Sequence, residues 1–218
     1  MMTAKECRKA AANALSGHWA PAVLATLIIL VIALLLAAPD TVNSAQLVHI
    51  PYALIGGVSL LTLLILMPLE VGYANAFRVL YQKGDDSIIG NSFKLGFNNY
   101  WHILWGMILM AIKIWLWALL FIIPGIIKAY SYAMTPFILV DHPEISISEA
   151  IQQSRLMMKG HKFDLFYLQL TFIGWGLLCL LTAGIGFLWL TPYMQTATAA
   201  FYYDLKNNEG ILEATLVE

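Results

Sequence analysis

The chain has 218 residues, of which 60% are hydrophobic and only 11% are Asp, Glu, Lys or Arg, whereas a water-soluble domain runs near roughly a quarter charged. A mean hydropathy of +0.74 leaves no ionic shell for an aqueous surface, so lipid is the solvent for most of the molecule. Twelve Lys and Arg against thirteen Asp and Glu give a net charge of −1, which provides no basic field to attract nucleic acid.

In chain order, Thr3-Ala4-Lys5-Glu6 has the spacing of a capping box, in which hydroxyl and carboxylate satisfy each other's backbone donors at a helix start. Gly17-His18-Trp19 ends that short helix and leads into an apolar stretch over 19–38. About twenty residues exceed the ~7–15 of a secretory leader and suffice to cross a bilayer, so the stretch reads as a retained first span. A loop without basic residues, Thr41 to Pro51, precedes a second span over 53–80. The segment opening at Asp86-Ser87 repeats Ile89, Phe93 and Phe97 every four residues, and Gly96-Phe97 leads through Tyr100-Trp101 into a third span over 101–123. Ile123-Pro124-Gly125 is a helix-breaking turn, after which 125–140 forms a shorter fourth span. Ser146-Ile147-Ser148-Glu149 is a second capping box, with Ile147, Ile151, Ser154 and Met158 on one face and Glu149, Gln152, Arg155 and Lys159 elsewhere. Gly160-His161 then stops the helix before a fifth span over 163–182, and Thr182-Ala183-Gly184 turns the chain into a sixth over 186–203.

The expected fold is all-α: one integral membrane domain, 1–218, with about six transmembrane helices in three hairpins, each preceded by an amphipathic helix lying in the interface plane. Lys5, Arg8, Lys9, Arg78, Lys83, Lys94, Arg155, Lys159, Lys162 and Lys206 fall on one side of this topology, which makes that side, and both termini, cytoplasmic. Units over 3–80, 86–141 and 146–206 suggest a threefold internal repeat, strengthened by Pro68 with Ala76-Phe77 recurring as Pro192 with Ala200-Phe201. The alternative is that any chain of hairpins with interfacial helices looks this way. Cys7 and Cys179 read as unpaired structural thiols.

The run from Trp117 to Tyr132, with Ile122-Ile123-Pro124-Gly125-Ile126-Ile127 at its centre, carries a resemblance. Ser154-Arg155-Leu156-Met157-Met158-Lys159-Gly160-His161-Lys162, Phe172-Ile173-Gly174-Trp175, Leu181 to Gly186, Pro192-Tyr193 and Ala200-Phe201-Tyr202 agree with it. From about Lys5 to Leu205 the chain resembles an uncharacterised bacterial membrane family, domain of unknown function 975. The resemblance implies a bacterial source and the cytoplasmic membrane; it implies no activity and no site residues.

Ionisable groups inside a span cost at least about 2.5–3.5 kcal/mol each on insertion scales, and so mark functional candidates. Glu70, Lys113 and Lys128 qualify, and Gln195 with Thr191, Thr196 and Thr198 makes the sixth span polar. Glu70 and Lys113 are candidates to neutralise each other across spans two and three. The blander readings are that Lys113 and Lys128 snorkel and that the polar groups are interhelical hydrogen-bond glue. His18, His49, His102, His142 and His161 are scattered without metal-ligand spacing, Asp141-His142-Glu144 reads as a solvated acidic loop, and no phosphate loop, nucleophile elbow or Cys-x-x-Cys occurs. The expectation is a non-enzymatic membrane protein without a cofactor that moves or senses a small amphipathic or lipid-like solute, or serves a transport system as its membrane subunit. The alternatives are a scaffold recruiting a membrane or cytoplasmic protein partner through its amphipathic helices and, third, a lipid-modifying enzyme. Oligomeric state is open.

Overall fold

A computed structural model describes residues 2–44, 52–85 and 87–217. Among them the chain forms eleven helices and no strand: α1 Ala4–Leu15, α2 Trp19–Ser44, α3 Tyr52–Lys83, α4 Ile88–Phe97, α5 Tyr100–Leu120, α6 Ile122–Ser131, α7 Thr135–Asp141, α8 Ile147–Met157, α9 Lys162–Leu170, α10 Ile173–Leu181 and α11 Phe187–Val217. Four stretches among the described residues are long and apolar enough to cross a membrane: Trp19–Leu36, Tyr100–Leu119, Ile122–Asp141 and Lys162–Leu181. The stretches 53–80 and 186–203 also become helix, within α3 and α11, without adding to these four. The expected loop between α2 and α3 lies partly, and Asp86 wholly, outside the described residues. Leu35, Trp101, Leu119, Ile122 and Leu181 are strongly exposed, Leu181 at 83%, a surface that hydrocarbon tolerates and water does not.

Both capping boxes form. Thr3 Oγ1 accepts from Glu6 N while Glu6 reaches back to Thr3 N, and Ser146 and Glu149 repeat the arrangement. Displaced by 143 residues, the same positions are buried, Cys7, Ala11 and Leu15 in α1 and Ala150 and Ser154 in α8 with Met158 at its C-cap. Each is followed by a glycine with a left-handed backbone, Gly17 at φ +86° and Gly160 at φ +90°, a conformation only glycine adopts without strain.

The faces expected to contact headgroups are used differently. In α1 and α8 they are buried inside the bundle, α1 against α11 and α8 against α7. In α4 the Phe93 and Phe97 face is exposed and its rings stack 6.5 Å apart, while the buried face is Ile88, Ser92 and Gly96. Gly96 is therefore not the helix stop its position suggested. A Cβ there would lie 2.3 Å from Pro68 O, and one on Gly72 would lie 1.9 Å from Ser92 O, so α3 and α4 cross backbone against backbone.

Pro68 itself sits inside α3, where its missing N–H frees the carbonyl four residues earlier. That carbonyl, Leu64 O, accepts from the Tyr100 hydroxyl at 3.2 Å. The interruption between α6 and α7 is repaired similarly. Ser154 Oγ donates to Ser131 O at 3.1 Å and accepts from Met134 N at 3.2 Å, with all three residues almost fully buried. The turn after α5 occurs at Phe121, extended at φ −158° and ψ 141°, rather than at Pro124-Gly125. Pro124 enters the first turn of α6, where backbone N–H groups have no intrahelical partner to lose.

Replacing Gly72 by Ala is expected to destabilise the bundle by about 1–3 kcal/mol through overpacking against α4. Gly174→Ala, with open space around its Cβ position, should leave the melting temperature in detergent unchanged. Equal melting temperatures for the two variants would contradict the close crossing.

Candidate functional site

Of the four intramembrane candidates, two come together. Glu70 on α3 and Gln195 on α11 line one cavity of about 310 Å³, walled by α3, α5, α7, α9 and α11. Gln169 and Thr198 add polar groups, and Val71, Met107, Phe137, Leu165, Phe172 and Met194 supply apolar wall. Gln169 Oε1 already accepts from Tyr130 at 2.7 Å and Thr198 Oγ1 donates to Met194 O at 2.9 Å, which leaves the Gln169 amide N–H₂ available. Among the described residues Glu70 has no ion-pair or hydrogen-bond partner, so the pairing expected with Lys113 does not form.

Lys113 instead lines a separate cavity with Tyr132, Ser148, Ile151, Gln152 and Arg155. The neighbouring span in sequence was the wrong guide, because α5 packs on α7 and α8 as well as on α3, and Lys113 meets α8. Lys128 lies over the ring of Trp117, 4.5 Å from its centroid, a cation–π contact that holds the ammonium within the α5–α6 hairpin. Burial pushes the Cys7 thiol up to about 11, helped by the negative charge of Asp204, and Cys179 is likewise buried and free.

A second polar centre lies where the sequence indicated a solvated loop. Asp141, at the end of α7, has a side chain only 17% exposed and accepts from Arg78 Nη1 at 2.5 Å, Lys206 Nζ at 2.5 Å and the Tyr202 hydroxyl at 3.0 Å. Arg78, 7% exposed, also donates Nε to Asn75 Oδ1 at 2.8 Å, and Asn75 Nδ2 donates to Pro136 O at 3.1 Å. Tyr203 donates to Gln82 at 2.5 Å. One carboxylate thus ties together α3, α7 and α11, while Phe137 and Tyr202 stack beside it at 5.2 Å. His142 and Glu144 stay at the surface, 3.1 Å apart. Counting Arg78 and Lys206 only as loop charges hid the centre; the one signal available was an acid and two bases assigned to the same membrane boundary.

A family model described as Protein of unknown function (DUF975) matches residues 1–131 and 120–209. The comparison with curated proteins gave no match, and neither did the comparison with solved structures.

Removing one member of a buried ion pair leaves the other uncompensated, at a cost of about 3–5 kcal/mol. Asp141→Ala is therefore expected to lower the melting temperature sharply. Joining Asp141→Leu to Arg78→Met, which removes both charges, should recover part of the loss; a double variant as unstable as the sum of its parts would show that the pair is not coupled.

Proposed function

The chain belongs to the DUF975 family of proteins of unknown function, and from that premise we propose that it is a bacterial cytoplasmic-membrane protein that binds a small cationic amphiphile at the Glu70–Gln195 cavity, to move it or to sense it. On this reading the protein is not an enzyme, both termini are cytoplasmic, and α3 and α11 complete six spans with the four apolar stretches. The unbroken length of α3 and α11 supports the six-span count. The threefold repeat over 3–80, 86–141 and 146–206 belongs to the same reading. It is supported by the common burial pattern of α1 and α8 and by the docking of α4, α8 and α1 on α3, α7 and α11.

The observation that carries the proposal is an exposed carboxylate without a counter-charge among the described residues, lining a largely apolar cavity. A lone carboxylate in such a wall is costly, and a ligand cation removes that cost where no protein cation does. Two glutamine amides and a threonine hydroxyl give a few directed polar contacts, and the surrounding Met, Leu and Phe side chains suit an apolar body. About 310 Å³ lies at the lower end of small-molecule sites. Pro68 and Pro192 lie inside the two helices that bring Glu70 and Gln195 to the cavity, where each removes one backbone N–H donor without breaking the helix. The scaffold reading draws less support, since the apolar faces of α1 and α8 are occupied within the bundle.

Tetraphenylphosphonium is a suitable probe. Purified protein in nanodiscs should bind it, and Glu70→Gln should weaken binding at least tenfold while the melting temperature stays near that of the wild type. Gln195→Leu should weaken it far less, because tetraphenylphosphonium has no hydrogen-bonding group for the Gln195 amide and its charge is met by the carboxylate. Unaltered affinity in a folded Glu70→Gln protein would overturn the proposal.

A further inference from the structure

Lys113 and Arg155 point to a second ligand chemistry, opposite in charge to the first. Lys113 belongs to α5, inside the Tyr100–Leu119 stretch, and Arg155 to the last turn of α8, yet both line one cavity of about 290 Å³. Its remaining wall is Tyr132, Ser148, Ile151 and Gln152. Neither cation has a hydrogen-bond or ion-pair partner among the described residues, and no carboxylate lines the cavity. The nearest acid along the helix, Glu149, is engaged in its capping box with Ser146, and it lines a different groove with Gln153 and Leu156.

Two positive groups converging on one cavity repel each other, and Arg cannot shed its proton to relieve the repulsion. Around them stand three more groups able to donate: the Tyr132 phenol, the Ser148 hydroxyl and the Gln152 amide. A planar guanidinium, a compact ammonium and neutral donors match the oxygens of a phosphate group. The surface beside the cavity indicates which phosphate. Leu109 and Leu116, four residues before and three after Lys113, share its helical face and are exposed, as is Ile112. A ligand with its head at Lys113 and Arg155 would therefore lay its tail along bare hydrocarbon-seeking side chains.

We propose that this cavity is a phosphate subsite that takes the headgroup of an anionic phospholipid, with Arg155 gripping the phosphate and Lys113 neutralising it from the bundle side. The site shares no lining residue with the Glu70 cavity and stands or falls independently of it.

The test measures thermal protection of detergent-purified full-length protein by phosphatidylglycerol, with phosphatidylcholine and inorganic phosphate as separate arms. Phosphatidylglycerol should protect and phosphatidylcholine should not. Lys113→Gln and Arg155→Gln should each weaken the phosphatidylglycerol response roughly tenfold, the usual scale for one charge-assisted contact. Lys159→Gln, an exposed cation just beyond α8 and outside the cavity, and Glu70→Gln should leave it unchanged. Arg155 is exposed at the bundle edge, so its variant reports even if Lys113→Gln fails to fold. Protection by inorganic phosphate equal to that by the lipid would overturn the phospholipid assignment. Equal losses in Lys159→Gln and Arg155→Gln would overturn the site altogether.

Discussion

Hydrocarbon offers no hydrogen bonds, so every interruption of a helix within it obliges a neighbouring element to take up the backbone groups set free. The fold is arranged around that obligation. Pro68 releases Leu64 O to the Tyr100 hydroxyl, and the junction of α6 and α7 is bridged on both sides by Ser154. In each case the repair comes from a short helix or from the residues following it. The short helices thus act as internal struts, and in α1 and α8 the apolar face is buried against protein.

Charge is treated with the same economy and to a different end. Asp141 is saturated by Arg78, Lys206 and Tyr202, a network whose every member is answered, and its effect is to fix three helices to one another. Glu70, Lys113 and Arg155 are unanswered by any described residue. One buried ionic cluster is complete, while two cavities keep charges of opposite sign that no described residue meets. An anion at one cavity and a cation at the other would each offset charge there without the ligands touching.

Local chemistry was legible in the sequence, and long-range geometry was not. Thr3 with Glu6, and Ser146 with Glu149, are three residues apart, so their capping boxes and the glycines ending those helices follow from spacing alone. Gly96 shows the limit: a glycine near a helix end signals termination as readily as close packing, and only the position of α3 decides between them. The polar face of α4 misled for the same reason, because small residues seeking a backbone neighbour look less apolar than Phe93 and Phe97, which face outward. Glu70 and Gln195 each stand out in the sequence as polar groups within apolar stretches. Their shared cavity, like the bond between Arg78 and Asp141 across 63 residues, depends on which helices become neighbours, and periodicity carries no such information.

The seating of α1 on α11 has a consequence for how the chain is made. Met2 N donates to Asp204 at 2.6 Å, and Tyr193 donates to Arg8 O at 3.2 Å, so α1 rests on a helix that leaves the ribosome well after it. Cys7 and Ala11 share an apolar cluster with Ala199, Phe201 and Leu205 of α11 that is complete only once α11 has been made, whereas Leu15 joins a cluster with Ala22 and Phe77 earlier in the chain. A nascent chain halted before residue 193 would hold α1 without its seat on α11, the kind of feature by which a quality-control protease distinguishes an unfinished membrane protein from a finished one.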